Sequence, residues 1–222
     1  MILEDASLEI LPTRFCSSNE AKRVLNRFNV PCEMQILDQN FHAKILASLN
    51  DREKRGRPDV VHLALLDAAS TPLFQDGFLG LFLRTRQGFA IQVKTGTRPP
   101  RTLQRFCGVM AKLLSGKYGA EEERLFSIER NQSFEMLVKA QGVDRVISLS
   151  SLGSLYSLRD LVASETHEDG NTAWVIGGFA HGHFEKEVIQ LSDLVASISK
   201  RTLPAHVVSA RICYELEVHS NI

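Results

Sequence analysis

The chain lacks any apolar run approaching the ~18–20 residues that cross a bilayer, and its N-terminus, MILEDASLEIL, is acidic where a secretory signal is basic. Membrane-spanning and secreted classes are thereby disfavoured, and a cytoplasmic protein is expected. Cysteine is sparse: Cys16, Cys32, Cys107 and Cys213 form no CxxC pair, and no histidine stands at a zinc-ligand spacing from them. The expectation is four reduced, mostly buried thiols and no metal. His181 and His183 are the only near-neighbour histidines, and HGH in a glycine-rich turn reads as a ligand loop rather than a chelate. Internal repeats and low-complexity linkers are also missing, and Glu165 to Gly170 reads as an ordinary acidic surface turn.

What is present is an average globular composition, with 44% hydrophobic and 23% charged residues over 222 positions. That is enough apolar material for one core, and a single domain over 1–222 is expected. Overall charge is zero, 26 basic against 26 acidic residues, but it is segregated. Between Gly77 and Ala120 stand Arg84, Arg86, Lys94, Arg98, Arg101, Arg105, Lys112 and Lys117 without one Asp or Glu. Such a block marks a candidate polyanion-binding face, because cations that neutralise phosphates release condensed counterions. The competing reading is a solvated helix and hairpin that are merely basic.

Short apolar runs alternating with helical patterns predict an α/β fold, a mostly parallel sheet flanked by helices. Strands are expected at Ser7 to Leu11, Val60 to Leu66, Leu79 to Arg84, Ala90 to Lys94, Arg145 to Leu149, Ala173 to Ile176 and Leu194 to Ile198. Helices are expected at Ser18 to Phe28, Asn40 to Leu49, Arg101 to Leu114, Ser133 to Ala140, Leu155 to Ala163 and Pro204 to Glu217. The pair joined through Thr85, Arg86 and Gln87 reads as a hairpin.

Three segments carry candidate chemistry. In TRPPRTLQRFCGVMAKLL, Arg101 and Arg105 are four apart on one helical face and Arg98 precedes them, while Leu103, Phe106 and Met110 point inward. The planar guanidinium fork suits phosphate. In DREKRGRPDVVH, Arg57 and Asp59 flank a proline that restricts their relative positions. Asp59 is a candidate catalytic base, with a structural carboxylate orienting Arg57 as the competing role. In AWVIGGFAHGHF, a buried strand runs into Gly177, Gly178 and Gly182, which let backbone approach a small ligand at a strand's carboxyl end. A second apolar strand, LVASIS, enters the loop KRTLPAH, and the two loops together form the walls expected of an adenosyl pocket.

These pieces, in this order, resemble the Nep/Emg family of ribosome-biogenesis methyltransferases, of the SPOUT class. The resemblance covers almost the whole chain and rests on DASLE, KRGRPDVVH, RPPRTLQRFCGVM, VIGGFAHGHF and ISKRTLPAHVVSARICYE. It implies a SPOUT-type fold with a C-terminal trefoil knot, a basic hairpin and helix insertion at about 77–120 for RNA, and a knotted cofactor-binding part at about 144–222. It also implies an S-adenosylmethionine-dependent enzyme that methylates N1 of a pseudouridine in small-subunit ribosomal RNA, as a homodimer. By motif position, Arg57, Arg98, Arg101 and Arg105 fall on RNA-contacting arginines. Gly177, Gly182, Ile198, Ser199, Lys200, Arg201, Thr202 and Leu203 fall on cofactor loops that act largely through backbone groups. The chain departs from the usual archaeal pattern at Ala180, His183, Lys200, Arg201, Thr202 and His206. Those changes keep open an alternative, an RNA-binding assembly factor with weak or lost methyltransferase activity.

Overall fold

The computed structural model describes residues 1–166 and 170–222, so the centre of the acidic turn expected at Glu165 to Gly170 lies outside the described residues. Seven strands form one sheet: β1 Ile2–Ala6, β2 Leu81–Thr85, β3 Ala90–Val93, β4 Phe126–Glu129, β5 Arg145–Leu155, β6 Thr172–Gly177 and β7 Leu194–Ser197. Their spatial order is β4-β3-β2-β1-β6-β5-β7. Every pairing among β2, β1, β6, β5 and β7 is parallel, and β3 and β4 extend the sheet antiparallel. The mostly parallel α/β sheet expected from the sequence is therefore observed. The hairpin is less an insertion than part of the sheet, since β2 lies directly beside β1.

Helices cover both faces: α1 Asn19–Phe28, α2 Gln39–Ala47, α3 Pro58–Ala69, α4 Pro72–Gln75, α5 Leu103–Ser115, α6 Ala120–Leu125, α7 Phe134–Ala140, α8 Leu158–Glu165, α9 Lys186–Leu191 and α10 Ala205–Ser220. The two-residue period of the strands divides the core between the faces. Leu3, Trp174 and Ile176 join a large cluster with α3, α5 and α10, while Ile2, Ala173 and Val175 face a smaller one with α7 and α9.

Several expectations are corrected. Val60 to Leu66 is not a strand but part of α3. Val61, Ala64, Leu65 and Ala68 are buried at helical spacing and Pro58 occupies the first turn, its missing N–H costing nothing there. Because an apolar residue, Leu63, also stands on the exposed side of α3, the run has no polar positions at helical spacing and imitates a buried strand. The first strand is Ile2–Ala6 rather than Ser7 to Leu11, and Asp5 turns the chain with φ +55°. β4 is an additional, short edge strand that directly follows the charged turn of α6 and carries no strand pattern of its own. Leu155 ends β5 rather than opening a helix, and the helix expected there, α8, begins at Leu158. Finally, Cys16 and Cys32 are joined by a disulfide, leaving only Cys107 and Cys213 as free thiols. The 3-10 turns Thr13–Phe15 and Cys32–Met34 bring the two ends of the α1 segment together, a proximity that spacing alone does not reveal.

Candidate active site

A crevice of about 490 Å³ opens where the carboxyl ends of β5, β6 and β7 pass into loops. That is the position at which open parallel sheets bind ligands. Its walls come from Leu149 to Ser151 after β5, the run from Ile176 to Phe184 after β6, and the run from Ala196 to His206 after β7. Of the residues expected at a cofactor, Gly177, Gly182, Ile198, Ser199, Arg201, Thr202 and Leu203 line it. Lys200 does not line it: its side chain is exposed outside the wall. The loop after β7 is shaped internally, with the Ser197 hydroxyl donating to the Ser199 carbonyl (2.9 Å) and the Arg201 amide donating to the Ser199 hydroxyl (3.0 Å).

Two glycines are forced by geometry. The Gly178 amide donates to the Glu4 carbonyl (2.7 Å) and its own carbonyl accepts from Ser7 (2.8 Å), drawing it so close to β1 that a Cβ would meet Ala6 Cα at 2.7 Å. Gly182 has φ +110°, open to glycine and strained for other residues, and packs on the Lys54 stem. Lys54 itself is buried and donates to Asp5 (3.0 Å) and Glu185 (2.7 Å), with its ammonium 5.1 Å from the Phe179 ring centroid. Burial opposes its charge, but hydrogen bonds to Glu185 and Asp5 outweigh that cost and raise its pKa. A buried cation thus holds the β6 loop from below.

The hairpin arginines are drawn into the same network. Arg84 is paired with Glu4, whose carboxyl is 1% exposed, and approaches Glu187 at 3.9 Å. Arg86 pairs with Asp51 at 2.7 Å and approaches Asp5 at 3.6 Å. Lys112 and Lys117 pair with Glu122 and Glu33. Among the described residues, therefore, only Lys94, Arg98, Arg101 and Arg105 of the acid-free stretch make no ion pair.

On the α3 side of the crevice, Arg57 and Asp59 face the β6 and β7 loops. The Arg57 amide donates to the Ser7 hydroxyl (2.8 Å), which fixes the entry to α3. Its guanidinium grips Asp59 through two parallel bonds, Nε to Oδ1 at 2.8 Å and Nη2 to Oδ2 at 2.7 Å. Hydrogen bonding from Arg57 outweighs burial and holds the Asp59 carboxyl below its ordinary range. Asp59 is accordingly an ionised orienting group, and a weak base near neutrality. Arg98, Arg101 and Arg105 are exposed around the entry to α5 and do not line the crevice. They are coupled to it through His62 of α3. Its Nε2 is 2.7 Å from the Pro100 carbonyl, and its ring stacks on Phe106 with centroids 4.7 Å apart.

Sequence reasoning missed several contributors. Ser150 and Ser151 line the crevice because β5 runs on past Leu149, its register on β7 shifting before Ser154. Gly153 crosses β7 so closely that a Cβ would lie 2.5 Å from the Val195 carbonyl oxygen. An isolated glycine inside a strand was the available signal for that close approach. Lys54 and His62 stood inside quoted motifs but offered no sign of their partners, which are distant in sequence.

Sheet order, loops at the ends of three neighbouring parallel strands, the β6 loop rich in glycine, and an arginine-bearing rim together define an α/β protein with a strand-end ligand crevice. Residues 1–217 match the model of the EMG1/NEP1 methyltransferase family, and the chain belongs to that family. It is 31% identical over 224 residues to the ribosomal RNA small subunit methyltransferase Nep1 of Staphylothermus marinus, covering 100% of this chain and 96% of the relative. Against the protein of the same name from Thermococcus sibiricus the identity is 34% over 188 residues, 83% of each chain. The crystal structure of Archaeoglobus fulgidus Nep1 bound to S-adenosylhomocysteine superposes with a TM-score of 0.84 at 26% identity, covering 100% of this chain and 98% of that one.

Proposed function

We propose that the protein transfers the methyl group of S-adenosylmethionine to small-subunit ribosomal RNA, at N1 of a pseudouridine, and that it works as a homodimer. The observation carrying this reading is the crevice itself, with glycine-bearing backbone loops on one side and the rigid Arg57–Asp59 pair on the other. Relatives with the same fold are named as small-subunit ribosomal RNA methyltransferases, and one binds S-adenosylhomocysteine.

The residues present fit such a cofactor. Its volume lies within the ~300–1,000 Å³ usual for ligand pockets, and it combines apolar walls at Leu149, Ile176, Ile198 and Leu203 with hydroxyls at Ser150, Ser151 and Thr202. When bound, S-adenosylmethionine supplies a methyl group activated on a sulfonium. The Gly177 and Gly182 backbone admits the ligand closely, and the loop from Ile198 to Leu203 closes its other side. Arg57, its planar guanidinium fixed in orientation by Asp59, presents its remaining edge toward an incoming base. Arg98, Arg101 and Arg105 hold flanking phosphates, and the target nucleotide is splayed from a single-stranded loop. Alignment of a nitrogen with a methyl group at near-attack distance contributes up to about 7–11 kcal/mol to rate acceleration. Exposed Leu152, Leu155 and Tyr156, at the end of β5 beside the crevice, support the second copy as the cover of that edge.

The test is mass spectrometry of small-subunit RNA incubated with the protein and an isotopically labelled methyl donor. Label on a pseudouridine, and none when that position is uridine, is the expected result. Label on uridine, on a ribose, or nowhere would overturn the proposal.

A further inference from the structure

A second concave surface lies apart from the crevice, between α1 and α2, and the activity leaves it unused. It encloses about 470 Å³. Arg23, Asn26, Arg27 and Phe28 of α1 face Asn40 and Phe41 of α2 across it, and no acidic residue lines it. Arg23 and Arg27, four apart on one helical face, are exposed and make no ion pair among the described residues. Phe41 is 38% exposed, an uncommon position for a phenylalanine on a helix of a chain with ample core. It packs edge-on against Phe28 with ring centroids 5.3 Å apart, and the Arg27 guanidinium lies 5.0 Å from the Phe28 centroid. The Cys16–Cys32 disulfide ties together the two ends of the segment that carries α1.

We propose that this groove is an additional contact for single-stranded RNA, in which a base flanking the target stacks on Phe41 while Arg23 and Arg27 take adjacent phosphates. A positively charged groove with aromatic platforms is the general solution for binding an unpaired strand, since every base has a π-face and every nucleotide a phosphate. Side-chain amides at Asn26 and Asn40 offer donors and acceptors to a base edge. The start of α2 is tied to the loop that carries Arg57. The Gln39 amide at the start of α2 donates to the Gly56 carbonyl (2.9 Å), and Gly56 immediately precedes Arg57.

This inference rests on RNA being the substrate, and the experiment separates the two. Fluorescence anisotropy with a labelled, unstructured RNA oligonucleotide is measured across a salt series for wild type, R23A/R27A, F41A, F41W and R101E. Calorimetry with S-adenosylhomocysteine reports on each variant's fold. The double arginine variant should bind more weakly with a salt slope reduced by about 1.4, from about 0.7 per lost single-strand phosphate. F41A should weaken binding roughly 5- to 150-fold, and F41W should restore it, because tryptophan preserves the stacking platform. All should retain wild-type affinity for S-adenosylhomocysteine. Unchanged RNA affinity and slope in the groove variants, alongside a clear loss in R101E, would overturn the groove while leaving the RNA reading intact. Equal loss in F41A and F41W would also overturn it. Absence of RNA binding by wild type would bring down both.

Discussion

The hairpin and the entry to α5 carry arginines from one acid-free stretch of sequence, yet the first set is neutralised inside the fold and the second faces solvent. Arg84 and Arg86 meet Glu4, Asp5, Asp51, Glu185 and Glu187, none of which is near them in the chain. Arg98, Arg101 and Arg105 meet no acid among the described residues. A local excess of charge therefore identifies candidates for a polyanion face, and the tertiary fold decides which remain available. The buried set has its own function, because the carboxylates it neutralises lie under the loop that walls the crevice.

The comparison breaks most visibly at Arg84. Replacing it by alanine leaves Glu4 buried without its partner, and should cost about 3–5 kcal/mol of stability at pH 8 by urea unfolding. The cost should be smaller at pH 5. Burial, opposed by Arg84, already pushes Glu4 from an ordinary 4.5 to about 7, so near pH 5 the carboxyl is protonated. The linkage has a definite sign: Glu4 contributes stability in full below about pH 4.5, and that contribution is lost as pH rises through 7. A pH-independent penalty for R84A would show that Glu4 is not the group it neutralises.

A middle-sized effect is expected at Arg101. R101E should leave unfolding within about 0.5 kcal/mol of wild type, because nothing in the fold depends on the side chain. RNA affinity should fall roughly tenfold or more, with the salt slope reduced by about 1. A stability loss like that of R84A, with RNA affinity unchanged, would erase the distinction between the two sets.

The smallest effect belongs to Lys117. Its pair with Glu33 is 3.6 Å long between side chains that are 58% and 55% exposed, so K117E should cost less than about 1 kcal/mol in stability. RNA affinity should also stay within about twofold of wild type, since the helix end carrying it lies away from Arg98 and Arg101. An effect equal to that of R101E would return the whole stretch to a diffuse basic patch.

Much of the site was legible because its signals are local. Glycines after a buried strand and the Arg57-Pro58-Asp59 constraint each express a backbone rule that operates within a few residues, whereas Arg101, expected on one helix with Arg105, lies just before α5 begins at Leu103. The misreadings also have a common cause. The strand expected at Val60 to Leu66 is a helix whose apolar residues continue onto its solvent side at Leu63, so the run shows no helical period in the sequence. Lys200, expected at a cofactor loop that acts largely through backbone groups, is exposed and does not line the crevice, while its neighbours Ser199 and Arg201 do.

By itself the sequence determined the α/β class, two of the loops that form the crevice, the candidate cations for a polyanion face and, through its motifs, the family. Those follow from short-range chemistry that every conformation of the chain carries. Only the tertiary structure decided that Arg84 and Arg86 are internal counterions, that Lys54 supports the β6 loop, that His62 joins α3 to the arginine rim, and that Cys16 meets Cys32. Each of these is a contact between segments distant in sequence. Partner, burial and dielectric environment, which set what a charged group or thiol does, exist only once the sheet has assembled.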